Sequence, residues 1–440
     1  MAARVGTGAS VGAAPRAGVT GRRNRRRALM VAAVLVAASA CGTATSGTTK
    51  QAPEQGGKKR GKTAVMVSMG DSYISGEAGR WAGNAATTKR DAYFTDLAAS
   101  CDPKQCTYNP RKIYGASYDN GCNRSKDAEI KSAKDAGLPW EPENIACSGA
   151  EARHILDEKF KGEDPQSVQL FRMARAKDVR LVVVSIGGND MHFSGIIWDC
   201  YVAWNAGISP KQRCKTSQEG AAKKRLEKLT EKVSSVLHKI ATTLRDADGQ
   251  NTTYRLVVQS YPSILPDAAN NRYKPDSNKG RKNYGGCPFW DDDAEWARKL
   301  VGRIAEAQWA GVQAYNKFPT ATVKADFLDL QQAFNRHEVC SGSVRQAQKY
   351  DQQRVKADRS EWVRYLAIFA TGKSQRQESV HPNYYGQKAL GHCLKKLADD
   401  AGWKRKEHRK FACSLPVGKN EPQEVEVARA SQTQPPSGRS

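Results

Sequence analysis

Four apolar, β-branched stretches stand out behind residue 60: TAVMVSM (63–69), RLVVVSI (180–186), YRLVVQS (254–260) and VKADFLDL (323–330). They lack the apolar–polar alternation of a half-exposed strand, so they predict strands covered on both faces. Between them the period changes. Leu226, Leu229, Val233, Val236, Leu237, Ile240 and Leu244 recur at three- and four-residue spacing, which predicts a helix of about 28 residues with one apolar face. A second helix is predicted from about Asp291 to Tyr315, with Leu300, Ile304 and Val312 inward. The acidic cluster at its start suits the positive end of the helix dipole. Strands alternating with helices imply a parallel sheet with helices on both faces, and a ligand site along the carboxyl ends of the strands.

The ends of the chain read differently. RRNRRR (22–27) leads into ALMVAAVLVAASAC, an apolar run ending in small residues. It is too short to span a bilayer and is read as an export signal over residues 1–40. Arg26-Arg27 fits both a loose twin-arginine pattern and a generic basic leader. Ala38-Ser39-Ala40 suits ordinary signal cleavage, whereas Cys41 would suit a lipoprotein anchor. Residues 41–62 are small, polar and basic and read as a flexible linker. Residues 414–440 share that character and are expected to be a disordered tail. This leaves one folded domain over 63–413, with no internal repeat.

With 440 residues and 39% hydrophobic content, the chain can bury one large core or two smaller ones. Its net charge is +25, seven units of it before Cys41, so +18 remains for the exported part. For an exported chain that excess points to anionic membrane or cell-wall surfaces, or to solubility alone, rather than to nucleic acid. Eleven cysteines leave ten once Cys41 is set aside. An even number suits full pairing in an oxidising compartment. Nearest-neighbour pairing (Cys101 with Cys106, Cys122 with Cys147, Cys200 with Cys214, Cys287 with Cys340, Cys393 with Cys413) is one arrangement among many. No Cys-x-x-Cys pair occurs and the histidines are scattered, so no metal site is expected.

The candidate chemistry lies where apolar runs stop. VMVSMGDSYISGE (65–77) ends a strand in Gly-Asp-Ser, which can lift the Ser72 hydroxyl to the sheet's carboxyl edge and set its amide at a helix start. Gly-Asp-Ser alone arises by chance in roughly one chain in ten of this length. The second run ends in Gly187-Gly188-Asn189-Asp190, a rarer string in which Asn189 offers a side-chain donor. In ACSGAE (146–151), Ser148 and Glu151 have capping-box spacing, which places the Gly149 amide in a first helical turn where it can face an anion. In ESVHPNYYGQKAL (378–390), Pro382 biases His381 away from helix and into a loop. Asp71 and Asp190 are read as stabilising their turns. Together a hydroxyl, an imidazole and three N–H donors are the requirements of acyl transfer.

These blocks, GDSY (70–73), ACSGA (146–150), GGND (187–190) and SVHPN (379–383), occur in the order found in the SGNH hydrolases, the GDSL-type esterases and lipases. The chain resembles that family over roughly residues 63 to 400, and its secreted actinobacterial members most of all, the latter also through MHFSGIIWDC. The resemblance implies a three-layer α/β/α sandwich with a mainly parallel, flavodoxin-like sheet, and ester hydrolysis through an acyl-serine without metal or cofactor. By position Ser72 would be nucleophile, His381 base, and the Ser72 amide, Gly149 and Asn189 oxyanion donors. Most of the family has Asp three residues before the histidine; here Glu378 stands there as candidate orienter, a backbone carbonyl in a Ser-His dyad being the alternative. The expected partner is a lipid or acyl-glycan ester and the expected state a monomer. A non-catalytic wall-binding module on the same fold is the rival class. The 76 residues between Ser72 and Gly149 contain Trp81, Tyr93, Phe94, Tyr108, Tyr114, Tyr118 and Trp140, expected to pack satellite cores or to wall the pocket. The stretch 261–290 is expected to border the same face.

Overall fold

The computed structural model describes residues 61–85, 94–102, 104–207, 213–249, 253–274, 278–281, 286–348, 351–367, 376–404 and 408–430. The signal expected at 1–40 and nearly all of the linker expected at 41–62 lie outside these residues. The strands are β1 Ala64–Gly70, β2 Ala99–Cys101, β3 Cys106–Tyr108, β4 Glu141–Asn144, β5 Asp178–Ser185, β6 Arg255–Gln259, β7 Ala325–Gln332, β8 Lys410–Ser414 and β9 Glu426–Arg429. All four apolar runs form strands.

Seven of them make one sheet in the order β4-β1-β5-β6-β7-β8-β9. Every neighbouring pair is parallel except β8 and β9. Its first five strands, taken in chain order, lie as 2-1-3-4-5, the flavodoxin-like winding. In such a sheet the chain leaves β1 in one direction and returns in the other beyond it, so a crevice opens over the carboxyl ends of β1 and β5. Both candidate turns emerge there.

Val65 to Gly70 are buried without a break, which requires cover on both faces. The helices Gln166–Ala176, Cys214–Asp248 and Asp291–Lys317 pack side by side as one layer, and Glu129–Asp135 packs against Tyr384–Asp399 in another. The helix read from the leucine and valine spacing is longer than expected, at 35 residues. Its extra turns are the polar segment between Cys214 and Leu226, which the apolar period does not mark.

Two strands contradict the sequence expectations. β4 reads Glu-Pro-Glu-Asn and carries no apolar signal, because it is an edge strand with little to bury. β9 lies inside the expected tail. Val425 is fully buried and Glu426 to Arg429 pair with β8, so the chain is ordered past 413, as far as residue 430. Residues 431–440 of that tail lie outside the described residues. The five disulfides join Cys101–Cys106, Cys122–Cys147, Cys200–Cys214, Cys287–Cys340 and Cys393–Cys413, the nearest-neighbour arrangement. Among the described residues no helix is long and apolar enough to cross a membrane.

Candidate active site

At the end of β1 the backbone can take only glycine. Gly70 has φ +126°, and a Cβ there would sit 1.8 Å from the Ser185 carbonyl oxygen. This close approach clamps the end of β1 to the end of β5, with the Asp71 amide donating to the same carbonyl at 3.0 Å. The chain then turns into a four-residue helix, Ser72–Ser75, with Asp71 at its N-cap. Asp71 Oδ1 accepts from the Tyr73 amide at 3.1 Å, and Oδ2 accepts from the Tyr261 hydroxyl at 2.6 Å. Burial pushes the Asp71 carboxyl up to about 7.

Tyr261 ties the two turns together. Its hydroxyl, while donating to Asp71, accepts from the Gly188 amide at 2.8 Å. Asn189, next in that turn, donates one N–H of its carboxamide to the Ala150 carbonyl at 3.0 Å. A carboxamide nitrogen carries two hydrogens, so the second is left for the cleft that Asn189 lines. Asp190 accepts from the Ala152 amide at 3.0 Å and pairs with Lys232 at 2.5 Å. It fixes the turn instead of facing the cleft.

His381 approaches from the other side of Ser72. Its Nε2 lies 2.7 Å from Ser72 Oγ, and its Nδ1 lies 2.7 Å from the Ser379 carbonyl oxygen. The tautomer follows: a carbonyl only accepts, so Nδ1 carries the proton, and Nε2 is the lone-pair nitrogen that accepts the Ser72 hydroxyl. Val380 between them has φ +56°, a costly conformation for a β-branched residue. Its surroundings hold it: the Val380 amide donates to Arg364, the Arg364 amide donates to His381, and the Val380 carbonyl accepts from the Tyr73 hydroxyl. The imidazole also packs on the Tyr73 ring, centroids 4.9 Å apart. Burial holds it neutral, lowering its pKa to about 4.

Two sequence expectations need correction. The Glu378 carboxyl does not hydrogen-bond the imidazole. Fully buried, it accepts from Trp81 Nε1 and from the Tyr114 hydroxyl, each at 2.7 Å, and burial raises its pKa. The orienting acceptor is the main chain at Ser379. Nor does Ser148 cap a helix. The helix is Ala152–Leu156, with its capping box formed by Glu151 and His154, while Ser148 donates to buried Glu77. Gly149 therefore stands outside the helical turn, at φ +86°, and is not among the residues lining the cleft. Of the aromatics named between Ser72 and Gly149, Trp81 and Tyr114 sit in small satellite clusters and none of the described ones lines the cleft, the satellite-core alternative; Tyr93 lies outside the described residues.

The cleft, about 440 Å³ with its open mouth, is walled by Tyr73, Phe193, Tyr261, Val301 and Ile304 around Ser72, Asn189 and His381. Among the described residues of the stretch 261–290, Tyr261 alone lines it. Phe193 and Val301 were missed, and Tyr261 was not singled out within the stretch 261–290 expected to border this face. Phe193 opens the helix directly after GGND, and Val301 lies within one turn of Ile304, already read as facing inward; Tyr261 follows a strand end, the one positional signal that could have found it. The four sequence blocks converge on one end of a flavodoxin-wound sheet. The sheet is the mainly parallel, flavodoxin-wound one that the resemblance to the SGNH hydrolases implies.

No family model matches the chain, and no curated protein matches it. Among solved structures it is similar to an extracellular lipase from Streptomyces rimosus, with 16% identity, 77% of this chain and 100% of that one covered, and a TM-score of 0.45. It is also similar to phospholipase A1 from Streptomyces albidoflavus NA297 (17% identity, 77% and 100% covered, TM-score 0.47). A third likeness is to Est24, a carbohydrate acetylesterase from Sinorhizobium meliloti (11% identity, 77% and 98% covered, TM-score 0.30).

Proposed function

We propose that the protein is an exported serine ester hydrolase acting on lipid or other acyl-ester substrates through an acyl-serine intermediate. The observation that carries the reading is the short His381 Nε2 to Ser72 Oγ contact, with the opposite ring nitrogen held on the Ser379 carbonyl. As Ser72 Oγ attacks the ester carbonyl, its proton passes to His381 Nε2. The oxyanion accepts from the Ser72 amide and the second Asn189 N–H. His381 returns the proton to the departing alkoxide. Water then takes the serine's place, with His381 again as base, and the acid leaves.

The apolar wall of Phe193, Val301 and Ile304 favours an acyl chain over a bare acetyl group. Five disulfides suit an oxidising compartment outside the cytoplasm, in line with the signal read at 1–40. Turnover of p-nitrophenyl acetate and butyrate tests the proposal. The expected result is hydrolysis of both, faster for butyrate, and its loss in Ser72→Ala. Wild-type turnover by Ser72→Ala contradicts it, and a pure binding module gives no turnover at all.

A further inference from the structure

The helix that follows the glycine turn has a face the reaction does not use. It runs from Phe193 to Asn205 and is continuous with that turn: the Phe193 amide donates to the Gly188 carbonyl at 3.0 Å and the His192 amide to the Asn189 carbonyl at 2.9 Å. Phe193 and Ser194 line the cleft. From there Ser194, Trp198 and Val202 follow at four-residue spacing and share one face. Ile196, Ile197, Cys200, Ala203 and Trp204 are buried on the other. The first face is open to solvent, Trp198 at 42% and Val202 at 44% exposure. Tyr201 extends it, its ring 5.2 Å from that of Trp198. An apolar stripe running outward from the rim of a cleft marks a contact surface.

Charge identifies the partner. The Cys200–Cys214 disulfide fastens the start of the Cys214–Asp248 helix beside this face, and Gln218 Nε2 donates across to Asp199 Oδ2 at 2.7 Å. That neighbouring helix exposes Lys215, Lys223, Lys224 and Lys228, with Glu227 among them, on a chain whose exported part carries +18. An indole and aliphatic groups next to a helix that exposes lysines match the headgroup region of an anionic bilayer, where amphipathic rings sit at the interface and ammonium groups meet lipid phosphates. We infer that the Ser194–Trp198–Val202 face docks on an anionic lipid bilayer. Docking seats the mouth of the cleft at the depth of the lipid ester carbonyls. This names the substrate class of the proposed esterase, an acyl lipid presented in a membrane, and rests on that reading.

The test is sedimentation of the full chain with vesicles of phosphatidylcholine alone and of phosphatidylcholine mixed equally with phosphatidylglycerol. The expected result is binding to the mixed vesicles, weakened by salt, and little binding to the neutral ones. Trp198→Ala with Val202→Ser should weaken it about tenfold or more. Lys223→Glu with Lys224→Glu should weaken it by a similar factor and flatten the salt dependence. Both variants should hydrolyse soluble p-nitrophenyl butyrate at the wild-type rate, which also reports that they fold. Ser72→Ala should bind vesicles normally, so failure of docking and failure of the esterase reading separate. The inference is overturned if wild type ignores the mixed vesicles, if the Trp198 and Val202 variant binds them as wild type does, or if binding occurs only to isolated wall polymer.

Discussion

Replacing Glu378 with alanine separates a carboxylate that orients the imidazole from one that pins the loop behind it. The Glu378 carboxyl is fully buried and holds two donors, Trp81 Nε1 and the Tyr114 hydroxyl. Removing it leaves both unpaired, at about 1–3 kcal/mol each, so roughly 2–6 kcal/mol of stability is lost. The imidazole keeps its own partner, the Ser379 carbonyl. Protein that remains folded should therefore lose less than about tenfold in kcat/KM, whereas removing a carboxylate that orients a catalytic histidine costs about 10⁴-fold in kcat. The assay pairs thermal unfolding with p-nitrophenyl butyrate kinetics well below the midpoint of the variant. Glu378→Gln, which keeps one acceptor oxygen, should recover part of the lost stability. A loss of roughly 10³-fold or more in folded protein, with little change in Tm, would refute the reasoning.

The pH profile follows from the burial of His381. Only the neutral imidazole can take the Ser72 proton, and its pKa is lowered to about 4, so kcat/KM should stay level as pH falls through the ordinary histidine range and drop only near pH 4; an inflection at the ordinary value of about 6.5 contradicts this. Tyr261→Phe removes the hydroxyl that links Gly188 to Asp71. Leaving that amide unpaired and Asp71 Oδ2 without its donor should lower kcat roughly tenfold to a hundredfold with the KM for short esters little changed, and an unchanged kcat would show that the link does not position the turns.

The sequence exposed what periodicity and local chemistry determine. β1, β5, β6 and β7 are continuous apolar runs because both of their faces are covered, and two of them end at Ser72 and Asn189 because strand ends in a parallel sheet meet at one edge. β9 was hidden for a different reason. Its Val-Glu-Val pattern is a half-buried edge strand, too short to stand out from the polar segment around it. Ser148 and Glu151 have capping-box spacing, but the box that forms begins at Glu151 because the Asp190 carboxylate takes the Ala152 amide and fixes where the helix starts. Glu378 illustrates the limit most plainly. Its distance along the chain from His381 suits an orienter, yet spacing carries no information on where a carboxyl points. Trp81 and Tyr114, some 300 and 260 residues away, decide it, and no local pattern connects them.

Covalent labelling tests the central geometry most directly. A fluorophosphonate ester reacts with a serine whose hydroxyl is activated by an adjacent base, and peptide mass spectrometry locates the adduct. The account predicts one adduct, on Ser72, that disappears in Ser72→Ala and is strongly slowed in His381→Ala. Labelling at another residue, or labelling of Ser72 at full rate without His381, would contradict it.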